Sequence, residues 1–219
     1  MAKKAAKQSK TEVAIYKRPM PTAELLDQDN LNPLFVPDPY IKQWAIENYL
    51  QDEGAFYNQE HEHLFHAEIG FLWTNVSNYR SGNMVAAQCE IFRVQGGKWT
   101  KARAEMQMRQ WFGGIPNFII TINAFYAATA TSASFCALID HELYHAAQLV
   151  YPDGELAYDI DGNPKWMLRG HDVEEFVGVV ERWGAGVAAG RTADLVKAAS
   201  RKPLIAEADI VLACGNCLR

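Results

Sequence analysis

The chain has 219 residues, of which 49% are hydrophobic and 21% charged, and its formal net charge is −5. These values are ordinary for a globular protein with one sizeable core, and the net acidity argues against a general nucleic-acid binder. No stretch approaches the roughly 18 uninterrupted apolar residues of a membrane span, and the basic N-terminus lacks the apolar stretch of a secretory signal. The four cysteines do not form the pattern of a disulfide framework, so we expect a reducing, cytoplasmic location.

The first 24 residues have the composition of a flexible basic tail. The first 18 residues carry one acid, Glu12, and six basic residues: Lys3, Lys4, Lys7, Lys10, Lys17 and Arg18. Such a composition cannot bury enough apolar surface to offset the entropy lost on ordering. We expect a solvated tail over residues 1–24, and weak contact with nucleic acid is the alternative role.

Helices and strands are mixed along the rest of the chain. The predicted elements are helices Tyr40–Leu50 and Leu64–Tyr79, strand Met84–Val94, helix Lys98–Phe112, strand Phe118–Ile122, helix Ser134–Val150, a hairpin turn at Asp161-Gly162-Asn163-Pro164, and helices Asp172–Trp183 and Thr192–Ser200. The continuous β-branched run from Phe118 is typical of a strand buried on both faces. Together these elements predict an α+β fold in which a small sheet packs on helices.

Two histidines four residues apart carry the strongest chemical signal. His141 and His145 lie in the predicted helix that begins at Ser134, and positions i and i+4 share one helical face, so both imidazoles can reach one ion. Glu142 is rotated about 100° from His141. It is therefore placed to act on a water that zinc has acidified, as in a His-Glu-x-x-His hydrolase. A helix that carries these residues with no metal is the alternative.

A third ligand comes from the segment after the hairpin. His171 lies at the start of the next predicted helix, and three protein ligands plus a water is the catalytic zinc geometry. Glu174 and Glu175 are the alternative third ligands, because they follow three and four residues later near the same face. If His171 is the ligand, then Asp172, Glu174 or Glu175 is free to fix a ligand imidazole's tautomer, whereas the position of Asp140 points it elsewhere.

The residues around these histidines resemble a known family. Three segments carry the resemblance: Ala137 to His145, Arg169 to Phe176 and Val180 to Gly184. They look like the putative phage metallopeptidase family, and they are more distantly similar to the SprT/Spartan and WLM-type zincins. The resemblance covers roughly residues 60–186.

The resemblance implies a zincin-like fold, in which a small mixed sheet packs on helices and one helix carries the active site. It also implies zinc bound by His141, His145 and His171, with Glu142 as general base, and a protein or peptide substrate. The corresponding organisation is a flexible basic tail over 1–24, an N-terminal helical extension over 25–59, a zincin-like metallopeptidase domain over 60–186, and a C-terminal helix and tail over 187–219. If the chain is phage-encoded, the expected location is the host cell cytoplasm.

Two other functions stay open beside a zinc metallopeptidase. One is a phage structural or assembly protein with a structural zinc site, and the other is a protease that acts on DNA-bound proteins, supported independently by the basic tail alone.

Several other polar residues carry weaker signals. His61, His63 and His66 could form a second metal site, although a polar helix entrance is the preferred interpretation. Cys214-Gly215-Asn216-Cys217 is a single Cys-x-x-Cys motif, for which we prefer a terminal role without metal. The residues considered as oxyanion-stabilising groups are Tyr144, Tyr158 and Arg169.

Overall fold

The structure, a computed structural model, describes residues 17–80, 82–173, 177–185, 190–208 and 214–216. The helices are α1 (Pro39–Ala45), α2 (Lys98–Phe112), α3 (Ala124–Thr129), α4 (Ser132–His145), α5 (Val177–Trp183) and α6 (Arg191–Ala199), with 3-10 helices at Ala23–Leu26 and Gln59–His66 and a π-helical turn at Ile46–Leu50. The strands are β1 (Phe35–Pro37), β2 (Ile69–Thr74), β3 (Tyr79–Arg80), β4 (Asn83–Met84), β5 (Ala87–Ile91), β6 (Phe118–Asn123), β7 (Ala146–Gln148) and β8 (Trp166–Leu168).

A small mixed sheet forms the centre of this α+β fold. Its strand order is β1-β2-β6-β5, in which β2 and β6 run parallel and the other two pairs are antiparallel. Five of the six residues of β6 are buried, because the strand has partners on both sides and packing on both faces. The predicted strand Phe118–Ile122 is therefore confirmed, and β5 forms one edge of the sheet.

Helices α1 and α4 pack against this sheet through aromatic side chains. Trp73 of β2 stacks on Phe135 of α4 with ring centroids 6.0 Å apart, and Trp44 of α1 lies 6.2 Å from the same ring. The Trp73 indole donates to Asp38, whose other carboxylate oxygen caps α1. Burial of such aromatic surface is the main force that fixes α4 to the sheet.

The predicted helix Leu64–Tyr79 is wrong. This stretch forms the end of a 3-10 helix at His66 and then strand β2, all six residues of which are buried. A strand covered on both faces does not alternate between apolar and polar residues. Its continuous apolar run therefore resembled the apolar spacing of a helix.

Other elements begin or end at residues different from those predicted from the sequence. Helix α4 ends at His145 rather than Val150, because Ala146–Gln148 extends to pair with β8. The strand predicted over Met84–Val94 is split into β4 and β5. Asp172 and Val173 are not helical, and residues 174–176 lie outside the described residues, so the described helix is Val177–Trp183. The helix over Lys98–Phe112 is confirmed, and Gly113 ends it with φ 76°.

Part of the predicted tail packs on the body of the protein. Arg18 donates to Ser132 and to the carbonyls of Ala127 and Ala130, and its guanidinium lies 4.9 Å from the Phe135 ring centroid. These contacts differ from the solvated tail expected over 1–24, since Arg18 finds acceptors at the junction of α3 and α4. Residues 1–16 lie outside the described residues. Within the described ranges, every helix is too short or too polar to cross a membrane.

Candidate metal centre

Helix α4 presents two imidazoles at its C-terminal end. Its N-terminus is capped by Thr131, whose hydroxyl oxygen accepts from the Ser134 amide at 3.1 Å. A buried apolar face that includes Phe135 and Leu143 holds the helix in the core. On the adjoining face His141 and His145 lie one turn apart, with their Nε2 atoms separated by 3.2 Å.

The β7–β8 hairpin brings the third histidine to the end of α4. Strand β7 continues from His145, and its pairing of Ala146 with Leu168 returns the chain to that point. The Arg169 amide donates to the His145 carbonyl at 2.9 Å, which fixes the loop beside the helix. His171 Nε2 then lies 3.3 Å from His141 Nε2. The three histidines singled out in the sequence are therefore brought together.

The local environment keeps these imidazoles ready to bind a metal. The Nδ1 of His145 lies 2.7 Å from the Arg169 carbonyl, which can only accept, so Nδ1 carries the proton and Nε2 has a lone pair. Burial, together with His145 and His171, lowers the pKa of His141 to about 4, and burial also lowers the pKa of His145. Both rings are thus neutral near pH 7, as metal ligation requires.

Cys214 adds a fourth donor that the sequence analysis did not assign to the site. Its Sγ lies 3.2 Å from His145 Nε2, and the four donor atoms of the histidines and Cys214 all lie within 4.8 Å of one another. The Cys-x-x-Cys motif was the available signal, but a single motif gave no indication of partners 69 residues earlier in the chain.

The separations from His141 to the other two histidines fit a tetrahedral zinc ion. Zinc–nitrogen bonds of about 2.0–2.1 Å place two tetrahedral ligand nitrogens about 3.3–3.4 Å apart. The two Nε2 separations that involve His141 are 3.2 and 3.3 Å. Three imidazoles and one thiol are also the donor types that zinc prefers. The residues present therefore suit a zinc ion, which these four side chains could hold.

Glu142 lies beside the cluster and is shielded from solvent. Its side chain is fully buried, and neither carboxylate oxygen makes a hydrogen bond of normal geometry with the described residues. Burial raises its pKa to about 7, and the neighbouring Cys214 side chain and the Cys89 backbone offset part of this rise. A carboxyl group whose pKa lies near neutrality is suited to take up and release a proton.

A cleft of about 190 Å³ opens beside the three histidines. Tyr144 and Arg169, two of the residues considered as oxyanion-stabilising groups, line it, whereas Tyr158 does not. The Arg169 guanidinium lies 5.5 Å from the Tyr144 ring centroid and pairs with Asp172 at 2.7 Å. Asp172 therefore orients the Arg169 side chain. The hydrogen bond to the ligand imidazole of His145, expected from a carboxylate, is accepted instead by the Arg169 carbonyl.

The remaining candidates lie outside this cluster. His61 pairs with Asp140 at 2.8 Å, which agrees with the expectation that Asp140 points away from the ligands. His63 Nε2 lies 2.8 Å from the Ala146 carbonyl. Across the described ranges, these histidines do not form a metal-holding group with His66. Glu174, Glu175 and Cys217 lie outside the described residues.

Comparison with protein families gives a match over most of the chain. The family described as "Putative phage metallopeptidase" matches residues 42–200, a longer stretch than the segments that carry the resemblance in the sequence. Comparison with curated proteins and with solved structures gives no significant match. The family match covers well over half of the chain and includes α4, the β7–β8 hairpin and His171, so the chain belongs to the putative phage metallopeptidase family.

Proposed function

We propose that the chain is a zinc-dependent peptidase, with His141, His145 and His171 as metal ligands and Glu142 as general base. The observation that carries the proposal is the convergence of three imidazoles, with the His141 nitrogen at tetrahedral spacing from the other two, beside the buried carboxyl group of Glu142. Zinc, when bound, acidifies water and polarises a carbonyl group.

Glu142 has the properties of the proton carrier in this reaction. With a pKa raised to about 7, its carboxylate can take a proton from the attacking water and return it to the leaving amine. Neither carboxylate oxygen has a hydrogen-bonding partner of normal geometry among the described residues, so no strong contact there has to break before a proton is taken up.

The cleft supplies candidates for binding the peptide. The Tyr144 hydroxyl accepts from Asn58 at 2.7 Å, which orients its own proton, and Arg169 contributes a fixed positive charge. Strand β5 is a sheet edge that contacts α4, and an extended peptide can add to such an edge through backbone hydrogen bonds.

The experiment is to compare zinc-loaded wild-type protein with Glu142→Gln on a diverse peptide library, with cleavage read by mass spectrometry. We expect both proteins to hold one zinc ion and the variant to lose hydrolysis by roughly 10²- to 10⁴-fold. Full activity in Glu142→Gln would reject this mechanism. Extended incubation at high enzyme concentration keeps a slow wild-type activity measurable.

A structural zinc site is the second candidate, and the fourth donor favours it. Structural sites have four protein ligands, whereas catalytic sites leave one position open, and Cys214 completes a set of four here. If the zinc is only structural, His141→Ala lowers the melting temperature strongly, Glu142→Gln leaves it unchanged, and no variant cleaves any peptide.

A further inference from the structure

The segment Cys214–Asn216 lies along the outer edge of β5. Cys214 forms a parallel bridge with Ala87, and the Gly215 amide donates to the Ala87 carbonyl at 2.7 Å. The Asn216 side chain donates to the Cys89 carbonyl at 2.8 Å. Two successive outward-facing carbonyls of β5 are thus occupied by this segment.

Two further contacts hold Gly215 close to its neighbours. Arg80 of β3 donates to the Gly215 carbonyl. A Cβ atom at Gly215 would lie 2.8 Å from side-chain atoms of Gln88 and Val85, closer than real Cβ contacts allow. Only glycine therefore permits this approach to the sheet edge without a shift of the neighbouring side chains.

The thiol of Cys214 is held at the metal centre. It is 3% exposed, and its Sγ lies 3.2 Å from His145 Nε2. The Asn216 amide donates to the same sulfur at 3.2 Å. An amide donor of this kind stabilises negative charge on sulfur, as a thiolate ligand requires.

We propose that the segment 214–216 closes the metal centre, with Cys214 Sγ as the fourth ligand, and that peptide hydrolysis requires its release from β5. The second part rests on the proposed function. When the metal binds, the thiol proton passes to solvent; when the segment leaves, a water replaces the sulfur and the thiolate is reprotonated from solvent.

Two features of the closed arrangement explain why it excludes substrate. Glu142 is completely buried with Cys214 as its neighbour, so a water cannot reach it from the cleft while the segment is in place. The carbonyls of Ala87 and Cys89, which an added peptide strand would use, are already paired.

The fourth ligand is tested with cobalt(II) in place of zinc. Sulfur ligation gives a charge-transfer absorption in the near ultraviolet, which we expect in wild-type protein and in Cys217→Ser, the control at the second cysteine of the Cys-x-x-Cys motif. Cys214→Ser should lose this band while the cobalt d–d bands of the histidine ligands remain. A band that persists in Cys214→Ser, or that only Cys217→Ser removes, overturns the assignment.

Closure is tested by the rate at which 1,10-phenanthroline removes zinc. Cys214→Ser and Gly215→Val should release zinc at least about tenfold faster than wild type, because one variant lacks the ligand and the other cannot dock the segment. Gly97→Val is the matched control, since a Cβ at Gly97 meets nothing within 4 Å. Equal release rates in Gly215→Val and Gly97→Val would overturn closure by this segment.

Hydrolysis separates this inference from the proposed function. Faster peptide cleavage by Cys214→Ser and Gly215→Val than by wild type supports both. Equal, measurable cleavage by all three overturns the requirement for release. A lost cobalt band and fast chelation without cleavage by any variant support the closed metal centre and reject the peptidase.

Discussion

The six histidines of the chain form two groups of three, and the side chains of the two groups have different surroundings. His61, His63 and His66 lie within six residues of one another, yet their rings serve different partners: a carboxylate, a backbone carbonyl and solvent. His141, His145 and His171 are spread over 31 residues, yet their Nε2 atoms converge. Histidines that are close in sequence therefore do not by themselves form a metal centre. A metal centre requires that the lone pairs of its ligands point at one position.

The largest expected difference between the two groups is in zinc affinity. His141→Ala removes one of four donors, so we expect zinc binding to weaken by more than about a hundredfold. His63→Ala removes a side chain that pairs with the Ala146 carbonyl and should leave zinc affinity within about threefold of wild type. Competition titration against a chromogenic chelator measures both. Comparable losses in the two variants would remove the distinction between the groups.

The second prediction concerns the contribution of the first group, His61, His63 and His66, to the free energy of unfolding. Asp140→Ala leaves the fully buried His61 ring without its 2.8 Å partner, so the free energy of unfolding should fall by about 1–3 kcal/mol. Asp140→Asn retains an acceptor and should lose less. Urea unfolding of the metal-free proteins gives the values, and equal stability of wild type and Asp140→Ala would show that this pair has no structural role.

A smaller effect is expected at the wall of the cleft. Tyr144→Phe removes a hydroxyl group that lines the cleft and that Asn58 orients, so kcat/KM for peptide cleavage should fall by up to about tenfold. Tyr158→Phe, outside the cleft, should have no effect. The comparison is best made in the Gly215→Val background, in which the segment cannot dock on β5. A larger loss in Tyr158→Phe would place the substrate along the hairpin instead.

The smallest effect is expected at His66, which is exposed. His66→Ala should change neither zinc affinity nor the free energy of unfolding by more than about 0.5 kcal/mol. Isothermal titration with zinc and urea unfolding check this prediction. A second zinc equivalent that binds wild type and is lost in His66→Ala would show that the first group does hold metal in solution.

The part of the site carried by one element was predictable from sequence. The placement of His141 and His145 on one face depends only on the helix. The N-cap residue Thr131 and the apolar face of α4 predict that helix. His171 was selected from among three candidates, and its arrival at the cluster depends on the β7–β8 pairing, which begins where α4 was expected to continue.

The part that depends on pairing between distant segments was not predictable. Cys214 reaches the cluster through a bridge to β5 that no local pattern encodes. Strand β2 was mistaken for a helix for a related reason: its parallel pairing with β6, 49 residues away at Ile69 and Phe118, buries both faces and removes the alternation that marks a strand.

The central claim is that His141, His145 and His171, with Cys214, hold one zinc ion. X-ray absorption at the zinc edge tests this claim most directly. For wild-type protein loaded with one equivalent of zinc, we expect three imidazole nitrogens at about 2.0–2.1 Å and one sulfur at about 2.3 Å. Zinc that fails to bind stoichiometrically, or a spectrum without multiple imidazole ligands, would contradict the account.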